Sequence, residues 1–318
     1  MKTAIGTDIE QARKLLAAGE LVAIPTETVY GLAANAFDER AVAKIFSVKN
    51  RPLFNPLIVH VSGIDQVRAI VNHIPPAAEK LMAKFSPGPL TILLPRNEKI
   101  PDIVTAGLPE VAIRIPSHPL TLELLHTLDF PLAAPSANPF GYISPTSAPH
   151  VQKVLAGKIP YILDGGKSNA GIESTIVGFS NGAPVIYRQG IITKEELEEI
   201  VGPVILNQSK KTVAPGMLES HYAPHTPLIL TEDIDSAIGN FAKNEIGLIT
   251  YNEYSDRLPV EQQILLYTSN DLNMAARNLY ASLHEMDERG YKTIIVKKLP
   301  EKGIGIAIND RLSRAAHR

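Results

Sequence analysis

Lys49 and Arg51 stand two residues apart where an apolar stripe stops being apolar. Asp38 can cap a helix in which Val42, Ile45 and Phe46 share one face, and the next position on that face, seven residues after Val42, is Lys49. An ammonium at the end of such a stripe is aimed inward, toward whatever the stripe packs beside. Pro52 pushes Arg51 toward extended geometry, so two cations leave one helix end together and enter the loop Pro52-Leu53-Phe54-Asn55-Pro56. The chain returns as an apolar strand, Leu57 to Val61, that carries His60. Ahead of the helix, Pro25-Thr26-Glu27-Thr28-Val29-Tyr30-Gly31 reads as a turn dense in hydroxyls. Further on, Val111 to Ile115 alternates so that Arg114 shares a face with the small Ala112, which leaves room for a ligand beside the guanidinium. In Pro135-Ser136-Ala137-Asn138-Pro139 the serine and asparagine point the same way if the segment is extended. With no cysteine in the chain, thiol nucleophiles, thiolate metal sites and disulfides are excluded, and catalysis is left to oxygen, nitrogen or a loosely held metal.

Each of these residues also has a plain structural reading. Lys49 and Arg51 could be a solvated pair, His60 a satisfied core histidine, Arg114 a solvated residue on an edge strand, and Asn138 beside Pro139 ordinary turn chemistry. Their co-location in one strand, helix, strand passage favours a site. Three other patterns are decoys. Gly166-Lys167-Ser168 resembles the end of a phosphate loop, but Tyr161 stands where that motif needs glycine. His221 and His225 have zinc-helix spacing, but Pro224 between them prevents the helix. Gly303-Ile304-Gly305 lacks the third glycine and acidic partner of a dinucleotide fingerprint.

The elements that would position the site alternate between helix and strand along the whole chain. At 318 residues two domains are expected. Thr7 and Glu10 suggest a capping box for a first helix, Ser62 starts another, Pro75-Pro76 opens a third, and Thr193 with Glu196 caps one ending at Gly202. Residues 207–227 lack periodicity and are rich in proline, which predicts a linker between a domain at 1–206 and a second at 228–318. In the second, four strand signals alternate with helices, the longest capped by Asp271 and stopped at Gly290, so a small parallel sheet is expected. Composition is that of an ordinary globular protein, with 45% hydrophobic and 20% charged residues. A formal net charge of −2 argues against nucleic-acid binding by bulk electrostatics. No apolar run is long enough to span a membrane and no signal-peptide pattern opens the chain, so a cytoplasmic location without a membrane partner is expected.

Taken in order, PTETVYGLA, Lys49-Asn50-Arg51-Pro52, Asn55-Pro56-Leu57, Arg114-Ile115-Pro116, Pro135-Ser136-Ala137-Asn138, Gly171 to Val177, Arg188-Gln189-Gly190, Pro215-Gly216-Met217 and His221-Tyr222-Ala223-Pro224 resemble the YrdC-like family, in its longer threonylcarbamoyl-AMP synthase form. The resemblance covers nearly the whole chain and rests on the shared order of individually weak motifs. It implies an α/β fold: a twisted mixed-sheet YrdC-like domain followed by a smaller Rossmann-like parallel domain. It implies a nucleotidyltransferase that condenses L-threonine, bicarbonate or carbon dioxide, and ATP into threonylcarbamoyl-AMP and pyrophosphate for tRNA modification. Magnesium would accompany ATP, with ligands unknown. A downstream threonylcarbamoyl-transferring machinery and, transiently, tRNA are the implied partners. By position, Lys49 and Arg51 are the catalytic cations. They hold ATP with Asn55, Ser136, Asn138, Ser144, Arg188 and Tyr222, while Thr28, His60, Arg114, Ala134 and Ser174 line the threonine pocket. Arg114 is expected to grip the carboxylate through two parallel hydrogen bonds. His221 and Tyr222 are expected in a lid formed by the linker. Glu110 stands where relatives often carry a small hydroxyl residue, a departure from the family pattern at one expected nucleotide contact. Two other readings are a carbamoyl-transfer role like that of YrdC-like domains in hydrogenase maturation, and an RNA-binding module. Threonine-dependent pyrophosphate release separates both from the first.

Overall fold

A computed structural model of the chain describes residues 2–207, 216, 221–267 and 271–317. These form two compact units. The first takes the described residues up to Phe140, Pro145–Asn169, and those from Glu173 through Gly216; the second takes Gly141–Ser144, Ala170–Ile172 and those from His221 on. The division expected from sequence was contiguous, whereas the short segments 141–144 and 170–172 pack with the later half of the chain. Local contacts account for this. The Tyr142 hydroxyl donates to Asp287 at 2.9 Å and its ring stacks on His225, and a Cβ on Gly171 would come within 2.3 Å of the Arg277 backbone. Only glycine, here at φ +79°, permits that approach.

Strands of the first unit are β1 (Ala4–Gly6), β2 (Val22–Ile24), β3 (Gly31–Asn35), β4 (Ile58–His60), β5 (Leu90–Pro95), β6 (Glu110–Arg114), β7 (Leu132–Ala133), β8 (Tyr161–Leu163), β9 (Thr175–Ser180), β10 (Ala183–Arg188) and β11 (Ile205–Leu206). They form a mixed sheet in the order β1-β8-β2-β3-β7-β4-β6-β5-β9-β10-β11. Alternation along β6 divides the two faces as its sequence predicts. Val111, Ile113 and Ile115 enter the main core, while Ala112 joins Ile58, Leu93 and Ile176 in a small cluster on the other side. Arg114 rises from the face that this cluster floors.

The helix Glu39–Lys49 begins as expected, with the Asp38 carboxylate accepting the Arg40 and Ala41 amides, and it buries Val42, Ile45, Phe46 and Lys49. It ends at Asn50 in the left-handed conformation, φ 53°, which asparagine tolerates better than most residues. Two starts differ from the sequence reading. The first helix, Ile9–Ala17, is capped by Asp8 through Gln11 rather than by Thr7. That register puts Ala12 and Leu16 inside. Ser62 does not begin the next helix, which runs Ile64–Ile70 after Gly63; its amide bonds the Gln66 side chain instead. The Pro76–Phe85 helix and the Thr193, Glu196 capping box stand where the sequence puts them.

In the second unit β12 (Leu228–Thr231), β13 (Ile246–Thr250), β14 (Gln263–Leu265) and β15 (Thr293–Lys297) pair in parallel in the order β12-β15-β13-β14. The helix Leu272–Glu288, capped by Asp271, buries Ala276, Leu279, Leu283 and Met286. Four further buried residues of that helix, Ala275, Tyr280, Ser282 and His284, were not read as core from sequence. No described helix is long and apolar enough to cross a membrane.

Candidate active site

Lys49 completes the stripe of its helix and is 1% exposed. Its ammonium donates to the carbonyls of Ser136, at 2.5 Å, and Asn138. In return the Phe140 amide donates to the Lys49 carbonyl at 2.7 Å. The 135–139 segment is held against the end of the Pro25 to Gly31 turn and the start of β3 by two backbone bonds, Ala137 to Tyr30 and Leu32 to Pro135. Ser136 and Asn138 are thus brought to Lys49, though it is their carbonyls that meet the ammonium. Burial, with the charge of Arg51 as a second cause, lowers the Lys49 pKa well below that of a free lysine. Arg51 is fixed by its own loop: Nε donates to the Asn55 carbonyl and Nη2 to Asn55 Oδ1 and the Pro56 carbonyl, at 2.7 to 3.1 Å. Asn55 therefore orients Arg51, and its own Nδ2 is buried without a hydrogen-bond partner.

Strands β4 and β6 run parallel with His60 in register with Arg114. His60 is buried, its pKa is lowered to about 3 by desolvation and then by the Arg114 charge, and its Nδ1 lacks a hydrogen-bond partner. It is a neutral ring at ordinary pH. Arg114 donates from Nη1 to Thr28 Oγ1 at 2.8 Å and from Nε to the Gly88 carbonyl at 3.3 Å. Its Nη2 lies 2.7 Å from Glu27 Oε1. All three guanidinium nitrogens thus face protein groups, an arrangement that the sequence reading of Arg114 as an open fork did not contain. Glu27 was missed because an acidic residue between two threonines reads as exposed turn chemistry; only the fold shows it half-buried against a cation.

Ser174 joins this pocket to a third cation. Its hydroxyl lies 2.7 Å from that of Thr91 and accepts Arg188 Nη2 at 3.0 Å, and its carbonyl takes Arg188 Nε at 3.1 Å. Gly190 makes that approach possible, since a Cβ there would stand 2.5 Å from the backbone of residues 173–175. Ala134 is fixed by its amide bond to the Ile58 carbonyl. Ser168 and Gly166, the phosphate-loop decoy, instead brace the same turn: the Ser168 hydroxyl donates to the Thr26 carbonyl, and the Tyr30 hydroxyl donates to that of Gly166. Glu110 is half-buried, and burial raises its carboxyl pKa.

Ser144, His221 and Tyr222 belong to the second unit. There the Ser144 carbonyl lies 3.2 Å from His284 Nε2. Tyr222 is 2% exposed at φ 65°, with the Tyr280 ring and the Arg311 guanidinium each 5.7 Å from its ring centre, and His221 edge-on to it at 4.2 Å. Pro215 and Met217 of the expected lid lie outside the described residues. No group of three or more His, Asp or Glu side chains fit to hold a metal occurs among the described residues.

Residues 14–190 match a family model described as "Telomere recombination", Sua5/YciO/YrdC, which covers more than half of the chain. The chain belongs to the Sua5/YciO/YrdC family. Residues 192–317 match a second model, described as "Threonylcarbamoyl-AMP synthase, C-terminal domain". Relatives named threonylcarbamoyl-AMP synthase include that of Pyrococcus abyssi, 40% identical over 94% of this chain and 91% of the relative. That of Bacillus subtilis is 41% identical over 97% and 92%. The crystal structure of P. abyssi Sua5 complexed with L-threonine is similar at a TM-score of 0.91 and 37% identity, covering 99% of this chain and 97% of that one. HypF in its phosphate- and nucleotide-bound form, 23% identical with a TM-score of 0.51, covers 58% of this chain and 28% of that one, and shares the fold alone.

Proposed function

We infer that this chain makes threonylcarbamoyl-AMP from L-threonine, bicarbonate and ATP. The observation that carries the reading is Lys49, a fully buried ammonium held by two backbone carbonyls and close enough to Arg51 to be depressed by it. Two cations so placed repel each other until an anion arrives, and a triphosphate supplies one. The amine of threonine and bicarbonate give a carbamate and water; a carbamate oxygen then attacks the α-phosphorus as pyrophosphate leaves in line. No protein nucleophile is required. The steps need positioning and neutralisation of charge, which fixed cations in a water-poor site provide. Lys49, Arg51 and Arg188 hold the phosphates in this reading, with Asn55, Ser136 and Asn138 assisting, and magnesium enters with ATP as part of the substrate. Thr28, His60, Arg114, Ala134 and Ser174 take threonine, with the unpartnered nitrogen of neutral His60 suited to its hydroxyl. A tRNA-modifying step consumes the product.

The test is pyrophosphate release with each substrate omitted in turn. Release should require threonine and bicarbonate together, and equal release without threonine would overturn the reading. The assignment of His221 and Tyr222 to a lid is tested in the same assay. Replacing both by alanine should raise the share of intermediate lost to hydrolysis relative to the share captured, and an unchanged ratio would remove them from that role.

A further inference from the structure

Glu27 and Arg114 form a buried ion pair whose geometry is incomplete. Glu27 Oε1 lies 2.7 Å from Arg114 Nη2, with the two side chains 12% and 4% exposed. Neither atom is aligned for a hydrogen bond, and both are buried without a hydrogen-bond partner. The remaining groups are engaged. Glu27 Oε2 accepts the Ser117 amide at 3.1 Å, and Arg114 Nη1 and Nε donate to Thr28 and Gly88. What is left is one anionic acceptor and one cationic donor side by side, next to the Thr28 hydroxyl, with Arg114 on the strand paired to the one that carries His60.

A free α-amino acid carries the complementary pair, an ammonium and a carboxylate on one carbon. A buried charge pair without directed hydrogen bonds recovers little of its desolvation cost, so a ligand that brings an aligned partner to each member is favoured. We propose that Glu27 receives the ammonium of the amino-acid substrate while Arg114 Nη2 takes its carboxylate, so that this pocket selects zwitterions and fixes the nitrogen that is to be carboxylated. The proposal rests on the threonine reading above and adds the residue that recognises the reacting atom. With the hydroxyl as a third point of attachment, three fixed contacts also define the handedness of the substrate.

Calorimetric titration with L-threonine and with 3-hydroxybutanoate, which keeps the carboxylate and hydroxyl but lacks the ammonium, tests it. The wild type should bind threonine at least about ten-fold more tightly than the analogue. In Glu27→Gln, which keeps the size and an acceptor for Ser117, threonine should weaken by about ten- to a hundred-fold, the usual range for a charge-assisted hydrogen bond. Binding of 3-hydroxybutanoate should hold steady or tighten, because its anion no longer meets a second one. Glu27→Asp should recover part of the threonine affinity. Equal weakening of both ligands in Glu27→Gln would make Glu27 only a prop for Arg114 and overturn the proposal. If that variant does not fold, the wild type decides: equal affinity for the two ligands overturns the proposal and leaves the threonine reading standing. Absence of any threonine binding to the wild type overturns both.

Discussion

The two units bury charge in opposite ways. In the first, Lys49 is buried against neutral carbonyls, without a carboxylate partner among the described residues, and its pKa falls accordingly. In the second, Arg311 is equally buried but lies 2.9 Å from Asp310, which Arg314 also contacts at 2.9 Å. Burial alone would push the Asp310 carboxyl up, yet the two arginines more than reverse this and hold it below the ordinary range. A buried cation with its counter-ion in place is finished structure. One without a counter-ion costs stability until an external anion arrives, and such sites cluster where function lies. The Glu27 and Arg114 pair stands between the two cases, close in distance but unaligned.

The comparison is broken most directly at Lys49. Lys49→Ala should lower turnover by a hundred- to a thousand-fold, about 3 to 4 kcal/mol, the usual loss for one preorganised donor. Its melting temperature should not fall, because an uncompensated charge is removed. Near wild-type pyrophosphate release would show the ammonium to be structural.

Arg311→Met should do the reverse. Asp310 keeps Arg314, so we expect a loss of about 2 to 3 kcal/mol in the stability of the second unit, below the full cost of orphaning a buried ion. Denaturant unfolding followed by a probe in each unit would read it, and an unchanged second transition would contradict the comparison.

His60 sharpens it through pH. Its folded pKa, about 3, lies below the ordinary 6.5, so the unfolded chain takes up the proton first as pH falls. The stability contributed by the neutral ring is therefore complete above 6.5 and is lost as pH drops toward 3, at about 1.4 kcal/mol per unit, or about 2 kcal/mol by pH 5. His60→Gln should flatten that part of the stability curve by about one proton; an identical slope would mean that the ring is not held neutral.

The smallest effect expected is the loss of one methyl from the substrate side chain. Serine lacks only a methyl and should be used about ten-fold less well, roughly 1.4 kcal/mol, whereas 2-aminobutyrate, lacking the hydroxyl, should be rejected more strongly because it leaves a buried polar group unpaired. Equal use of 2-aminobutyrate and threonine, measured by competition, would show that no buried group reads the hydroxyl.

Local signals settled a good deal from the sequence alone. The Asp38 cap and the stripe from Val42 through Lys49, the alternation along β6, the capping box at Thr193 and the run of strands and helices after 228 depend on residues a few positions apart, where periodicity and turn chemistry act. The inward aim of Lys49 was legible for the same reason. What the sequence could not supply was pairing across long separations. That Glu27 meets Arg114, 87 positions away, that carbonyls rather than side chains of Ser136 and Asn138 meet Lys49, and that residues 141–144 join the later unit all follow from which elements become neighbours. Neighbouring of strands is fixed by burial of the whole sheet, and no local pattern records it. The fold thereby decided which of the charged residues received a partner and which were left for a ligand.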